Sequence, residues 1–146
     1  MPDEESLTKL HYLLVKGMVE RHACPTNAEL AQHLGIAPAQ LEANLNDLSA
    51  IHGVVLHPHI CEPWVVHPFS VTPTANWVEG QRGGWWVPCV WCALGVAALA
   101  KGETRLHTRF AGEAEPLTIP IGDGTSVGFE DLWSAIIPYD QSFGSQ

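Results

Sequence analysis

The hydrophobic period of this chain changes near Leu56, and that change limits the folds open to it. Up to residue 50, apolar side chains recur at helical spacing: Leu7, Leu10, Leu14 and Met18, then Leu30 and Leu34, then Leu41, Leu45 and Leu48. Residues three and four apart share one helix face, so each run presents a single apolar stripe. Beyond Leu56, Pro58, Pro63, Pro68 and Pro73 cut the chain into pieces too short for helices and rich in Val and Trp. Helices first and strands afterwards is the order of an α+β protein rather than of alternating βαβ units.

Local signals place the boundaries. The first helical run lapses at Ala23-Cys24-Pro25, and Thr26-Asn27-Ala28-Glu29 is a capping box that opens a short helix ending at Gly35. Pro38 suits the first position of a third helix, and Gly53 precedes a strand-like Val54-Val55-Leu56. Three helices and a strand in this order outline a winged-helix-like module over residues 1–56. For residues 57–146 the reading is a small mixed β-sheet with one central helix. Strands are predicted over 71–78 and 85–87 around a Gly-Gln-Arg-Gly-Gly turn, and over 105–110 and 117–121 before a Gly122-Asp123-Gly124 hairpin turn, with a last strand over 132–137. The central helix is the Ala-rich run that follows Cys92.

Charge narrows the partners. The chain carries a formal charge of -9 with only seven Lys and Arg, whereas nucleic acid and anionic membrane surfaces demand concentrated positive charge. From residue 26 to 50 there are acidic side chains at Glu29, Glu42 and Asp47 and no Lys or Arg. A helix-turn-helix of that composition would meet phosphates with repulsion, so the module reads as a packing or lid element and the expected partner is a small molecule or a metal. The longest apolar stretch, 87–100, is interrupted by Pro88 and Gly95 and is too short to span a bilayer. The acidic start, Asp3-Glu4-Glu5, lacks the marks of a secretory signal, and a cytoplasmic location is expected. The oligomeric state has no signature in the sequence.

In a reducing compartment the four cysteines, Cys24, Cys61, Cys89 and Cys92, read as free thiols or metal ligands. Cys24, beside Pro25, reads as a small apolar side chain. Cys89 and Cys92 form a Cys-x-x-Cys at the predicted start of the central helix, where unpaired amides and the helix dipole favour thiolate. A redox pair would be expected in a thioredoxin-like βαβ setting, which these surroundings do not supply, and a structural zinc site would need two further ligands. His57, His59 and Cys61 alternate and would share one face of a strand, with His67 following, so they are weak additional candidates for zinc or copper. Pro58 and Pro63 break regular geometry there, which favours ordinary loop histidines. Inert burial of the thiol pair is a further alternative. Trp85, Trp86 and Trp91 crowd the pair in sequence and are candidates for an apolar wall.

The run His67-Pro68-Phe69-Ser70-Val71-Thr72-Pro73-Thr74, a strand ending at Val78, a glycine turn, and then Pro88-Cys89-Val90-Trp91-Cys92-Ala93-Leu94-Gly95-Val96 resembles the central region of organomercurial (alkylmercury) lyases and their relatives. The resemblance implies a winged-helix-like N-terminal module that does not bind DNA, followed by a lyase-like domain. It also implies a cysteine, an aspartate three residues later and a distal second cysteine that together hold mercury and protonate the departing carbon. In the favoured alignment Cys89 falls on the first cysteine and Cys92 on the aspartate; an alternative puts Cys92 on the nucleophile and Gly95 on the aspartate. No cysteine follows Cys92. The resemblance therefore implies a divergent, thiol-dependent protein. Cys89 would attack a soft metal or organometal, Cys92 would be proton donor or second ligand, and Phe69 and Trp91 would shape the pocket. No cofactor is required; the ligand would be a soft metal ion, mercury, copper or zinc. The alternatives are a non-catalytic zinc or copper binder and a biosynthetic enzyme using nucleophilic Cys89. A carboxylate from Glu79, Asp123 or Glu130 beside Cys89 would restore the missing acid.

Overall fold

A computed structural model describes residues 3–109, 115–122 and 125–126. Helix α1 (Glu4–Arg21) starts where the Asp3 carboxylate accepts from the Glu5 amide, and it ends at His22, left-handed with φ 54°. Helix α2 (Asn27–Leu34) has both halves of the expected capping box: Thr26 Oγ1 accepts from the Glu29 amide, and Glu29 accepts from the Thr26 amide. It stops at Gly35, whose φ of +64° suits glycine. Helix α3 (Pro38–Ala50) begins on its proline. The leucine stripes of all three converge, with Leu10, Leu14, Leu30, Leu41 and Leu45 at 1% exposure or less.

The strands are β1 (Val54–Leu56), β2 (Pro63–Val66), β3 (Phe69–Ser70), β4 (Trp77–Gly80), β5 (Gly83–Trp86), β6 (Thr104–Arg109), β7 (Pro116–Gly122) and β8 (Thr125–Ser126). They join in the order β1-β2-β3-β5-β4-β6-β7-β8. Every described ladder is antiparallel, so the sheet expected to be mixed is not. The β2–β3 and β4–β5 pairs are each joined by a two-residue turn, which permits only antiparallel pairing. Helix α4 (Val90–Ala100) is the expected central helix; it packs on β4 and β6 and buries Ala93, Val96 and Ala97. Those small side chains let it lie close over Val78 and Leu106, both fully buried.

The strand predicted over 71–78 is corrected. Only its last two residues enter β4, while Phe69 and Ser70 form the separate β3. Between them, side-chain hydroxyls take up backbone carbonyls: Ser70 Oγ donates to Thr72 O at 2.7 Å and Thr74 Oγ1 to Val87 O at 2.7 Å. Local bonds of this kind compete with a ladder, and Pro73 has no amide to offer one. The other predicted strands fall within a few residues of β5, β6 and β7, although Phe110 lies outside the described residues. So do Asp123 and Gly124 of the predicted turn, and the strand predicted over 132–137. In the β4–β5 hairpin Trp77 pairs with Trp86, their rings edge to face at 4.7 Å.

Two contacts fix β5 on α1 and α4 on the β2–β3 turn. Trp85 of β5 donates its indole N–H to Met18 O of α1 at 2.6 Å and stacks on His22, with ring centroids 4.4 Å apart. Helix α4 meets the β2–β3 hairpin at its two-residue turn, His67-Pro68, whose peptide is cis. A Cβ on Gly95 would lie 3.3 Å from Cβ and Cγ of Pro68, so the missing side chain permits this close approach. Among the described residues no helix is long and apolar enough to cross a membrane.

Candidate functional site

Pro88 ends the chain's exit from β5, and Cys89 becomes the N-cap of α4 in extended conformation. One helical turn brings Cys92 under it, and the two sulfurs lie 3.3 Å apart, within hydrogen-bonding reach for thiols. Cys89 is exposed and Cys92 half-buried. The environments separate the two titrations. Hydrogen bonding from Cys92 is the main influence lowering the pKa of Cys89, to about 6 from an ordinary 9.0; the amides of Cys92 and Trp91 and the charge of His67 assist, while partial burial opposes. Those amides act without closing a regular side-chain cap bond. Cys92 moves the other way, its pKa raised first by the bond to Cys89 and then by desolvation. In a close pair the first proton to leave belongs to the pair. Exposure and the helix start place the resulting charge on Cys89, and the remaining proton stays on Cys92.

His67, which follows His57, His59 and Cys61 in the sequence as a further weak metal candidate, stands apart from them. It occupies the β2–β3 turn that Pro68 fixes against Gly95, and from there its charge lowers the pKa of Cys89. The signal was its place at the head of His-Pro-Phe-Ser.

The other candidates are dispersed. His57, His59 and Cys61 lie in the connection between β1 and β2, not on a strand. The His59 amide donates to His57 Nδ1 at 3.0 Å, and the His57 ring packs edge-on against Trp64 at 4.5 Å. Cys61 folds back on α3, its sulfur 3.8 Å from Glu42 O and from Asn46 Nδ2, and its carbonyl accepts from Asn27 Nδ2 at 2.8 Å. Among the described residues no three His, Cys, Asp or Glu side chains are gathered closely enough to hold a metal ion. Pro58 and Pro63 bend the chain away from the regular strand that would have aligned them. Cys24 is half-buried, and burial is the first cause raising its thiol to about 11.

Phe69 is fully buried and sits near Trp85, with centroids 6.2 Å apart, so it supports the core and offers no open surface. Trp91, on the first turn of α4, is 53% exposed and is the aromatic next to the thiols that faces solvent. Trp85 and Trp86, expected to help wall the thiols, are engaged elsewhere, with α1 and with Trp77. Glu79 does not supply the missing acid: its carboxylate pairs with His107 Nε2 at 2.9 Å on an exposed part of the sheet. Asp123 and Glu130 lie outside the described residues.

The chain is thus an α+β protein with a thiol pair, Cys89 exposed and Cys92 half-buried, at the head of its central helix. No protein-family model and no curated protein matches it. Among solved structures its fold is similar to that of the mercury-bound form of MerB2, with a TM-score of 0.67 and 17% sequence identity over 86% of this chain and 59% of that one. The chain spans less than two thirds of the length of that neighbour, and at this identity the likeness is one of fold.

Proposed function

We propose that the chain is a lyase-like, thiol-dependent protein that captures a soft metal ion or an organometal through Cys89 and Cys92. The observation that carries this reading is the 3.3 Å approach of an exposed Cys89 to a half-buried Cys92 at the start of α4. Support also comes from the fold shared with a protein solved in a mercury-bound form. With an organomercurial, the Cys89 thiolate displaces the labile ligand and forms a sulfur–mercury bond. The Cys92 thiol then delivers its proton to the mercury-bound carbon. The carbon–mercury bond breaks, the hydrocarbon leaves, and the freed Cys92 thiolate becomes the second sulfur on the metal. Two thiols from solution exchange for the protein sulfurs and remove the metal.

A thiol standing where the resembled family has an aspartate makes Cys92 the decisive residue. The test is incubation with an arylmercurial and excess small-molecule thiol, following arene release. Release above that of a Cys89→Ser control, lost or slowed in Cys92→Ser, supports cleavage. A stoichiometric metal complex that needs both cysteines, with no arene release, makes the protein a binder on the same frame. No metal retained and no arene released rejects both.

A further inference from the structure

We propose that Cys89 and Cys92 also act as a dithiol–disulfide exchange centre for small, solvent-borne disulfides of the glutathione type. The βαβ setting usual for such pairs is missing, but the chemistry needs only an accessible attacking sulfur, a shielded resolving sulfur within reach, and groups that stabilise the anion. All three are present at the head of α4. Cys89 is exposed and Cys92 half-buried directly behind it. The sulfurs are 3.3 Å apart, and a disulfide bond of roughly 2.05 Å needs an approach of little more than about 1 Å, within the reach of side-chain rotation. Cys89, the sulfur that must leave as thiolate whenever the internal disulfide is reduced, is the N-cap residue of α4, where the first amides of a helix lack intrahelical partners. Trp91, more than half exposed on the same turn, offers an apolar surface against which a small disulfide can settle.

The reaction balances within the dithiol and its substrate. The Cys89 sulfur attacks one sulfur of RS–SR; that bond breaks, a Cys89–S–S–R mixed disulfide forms, and one RS⁻ leaves and takes up a proton. Cys92 gives its proton to solvent and attacks the Cys89 sulfur, forming the Cys89–Cys92 disulfide and releasing the second RS⁻, which is protonated in turn. Two electrons pass to the substrate, and two thiol protons end on two RSH. A small-molecule dithiol restores the reduced protein by the reverse exchange. Cys24, half-buried, and Cys61, bonded to α3, have no partner sulfur in such an arrangement among the described residues.

The test uses the metal-free full chain with oxidised glutathione as probe, quenched with acid, labelled with a maleimide and read by intact mass and peptide mapping. The wild type should lose two thiols together, with the link mapped to Cys89–Cys92 and no lasting adduct. Cys92→Ser should stop at a glutathione adduct on Cys89, and Cys89→Ser should form neither product. With excess dithiothreitol, the wild type should reduce oxidised glutathione about tenfold faster than an equal amount of Cys89→Ser. A persistent Cys89 adduct in the wild type, a first link through Cys24 or Cys61, or equal rates with Cys89→Ser would overturn the proposal. Should Cys92→Ser fail to fold, Cys92→Ala serves, and the wild-type link map still decides. Mercury capture is read separately on reduced protein, so either activity can fail without the other.

Discussion

Pro68 rests on the bare backbone of Gly95, where an added Cβ would stand 3.3 Å from two of the proline carbons. That contact seats the middle of α4 on the β2–β3 turn and holds His67 where its charge acts on Cys89. Gly95→Ala sets better helix propensity against crowding, whereas Gly95→Val adds crowding with little propensity gain. Gly95→Val is expected to destabilise the fold by about 1–3 kcal/mol, as overpacked sites do. It should also slow alkylation of Cys89; urea denaturation and timed labelling read the two effects. Unchanged labelling in a folded variant would mean that the contact does not position the site.

Alkylation of Cys89 should rise with pH through a midpoint near 6, because its thiolate is lowered to about that value. Removing the first-named cause, as in Cys92→Ala, should move the midpoint upward. A depressed thiol pKa contributes stability that is fully present above the unfolded value near 9 and is lost as pH falls through 6. Cys24, raised to about 11, has the opposite sign: its contribution is present below 9 and is lost as pH rises toward 11. Cys24 should therefore label slowly at neutral pH, and mass spectrometry of partially labelled protein distinguishes the sites.

Trp85 joins β5 to α1 through its indole N–H. Trp85→Phe removes one of two donors to the Met18 carbonyl, which keeps the His22 amide at 3.2 Å, and trims the ring stacked on His22. The expected loss is about 0.5–1.5 kcal/mol, the net worth of one hydrogen bond, seen as a lower Tm. A Tm equal to that of the wild type would show that the indole bond adds no net stability.

Glu29 is lowered to about 2, first by its hydrogen bond to Arg21 and then by the amide and hydroxyl of Thr26. Its carboxylate supports α2 fully above the ordinary value of 4.5, and that support is lost as pH falls through about 2. Circular dichroism at falling pH should show helix loss that is weaker in Glu29→Gln, which keeps a capping acceptor but has no charge to lose. Identical acid profiles would remove Glu29 from the account.

The three helices were legible because their signals are local: leucines at helical spacing, a Thr-x-x-Glu box, a glycine stop and a proline start all act within a few residues. The thiol pair at a helix start was legible for the same reason. The strand expected over 71–78 failed because Ser70 and Thr74 turned their hydroxyls onto carbonyls, one of them on Val87 far along the chain. Trp85 and Trp86, adjacent to the thiols in sequence, point to different partners, since neighbouring residues of a strand face opposite sides.

By itself, then, the sequence determined the α+β order, the helix boundaries and the Cys-x-x-Cys at the head of α4. Tertiary structure alone decided that Cys89 is the exposed sulfur and that the His67-Pro68 turn is seated on α4 at Gly95. It also decided that Phe69 belongs to the core, that His57 packs on Trp64 of β2, and that Cys61 turns onto α3. Helix caps and periodic stripes are fixed by neighbours in the chain, whereas the charge and access of a thiol depend on which surfaces are packed over it.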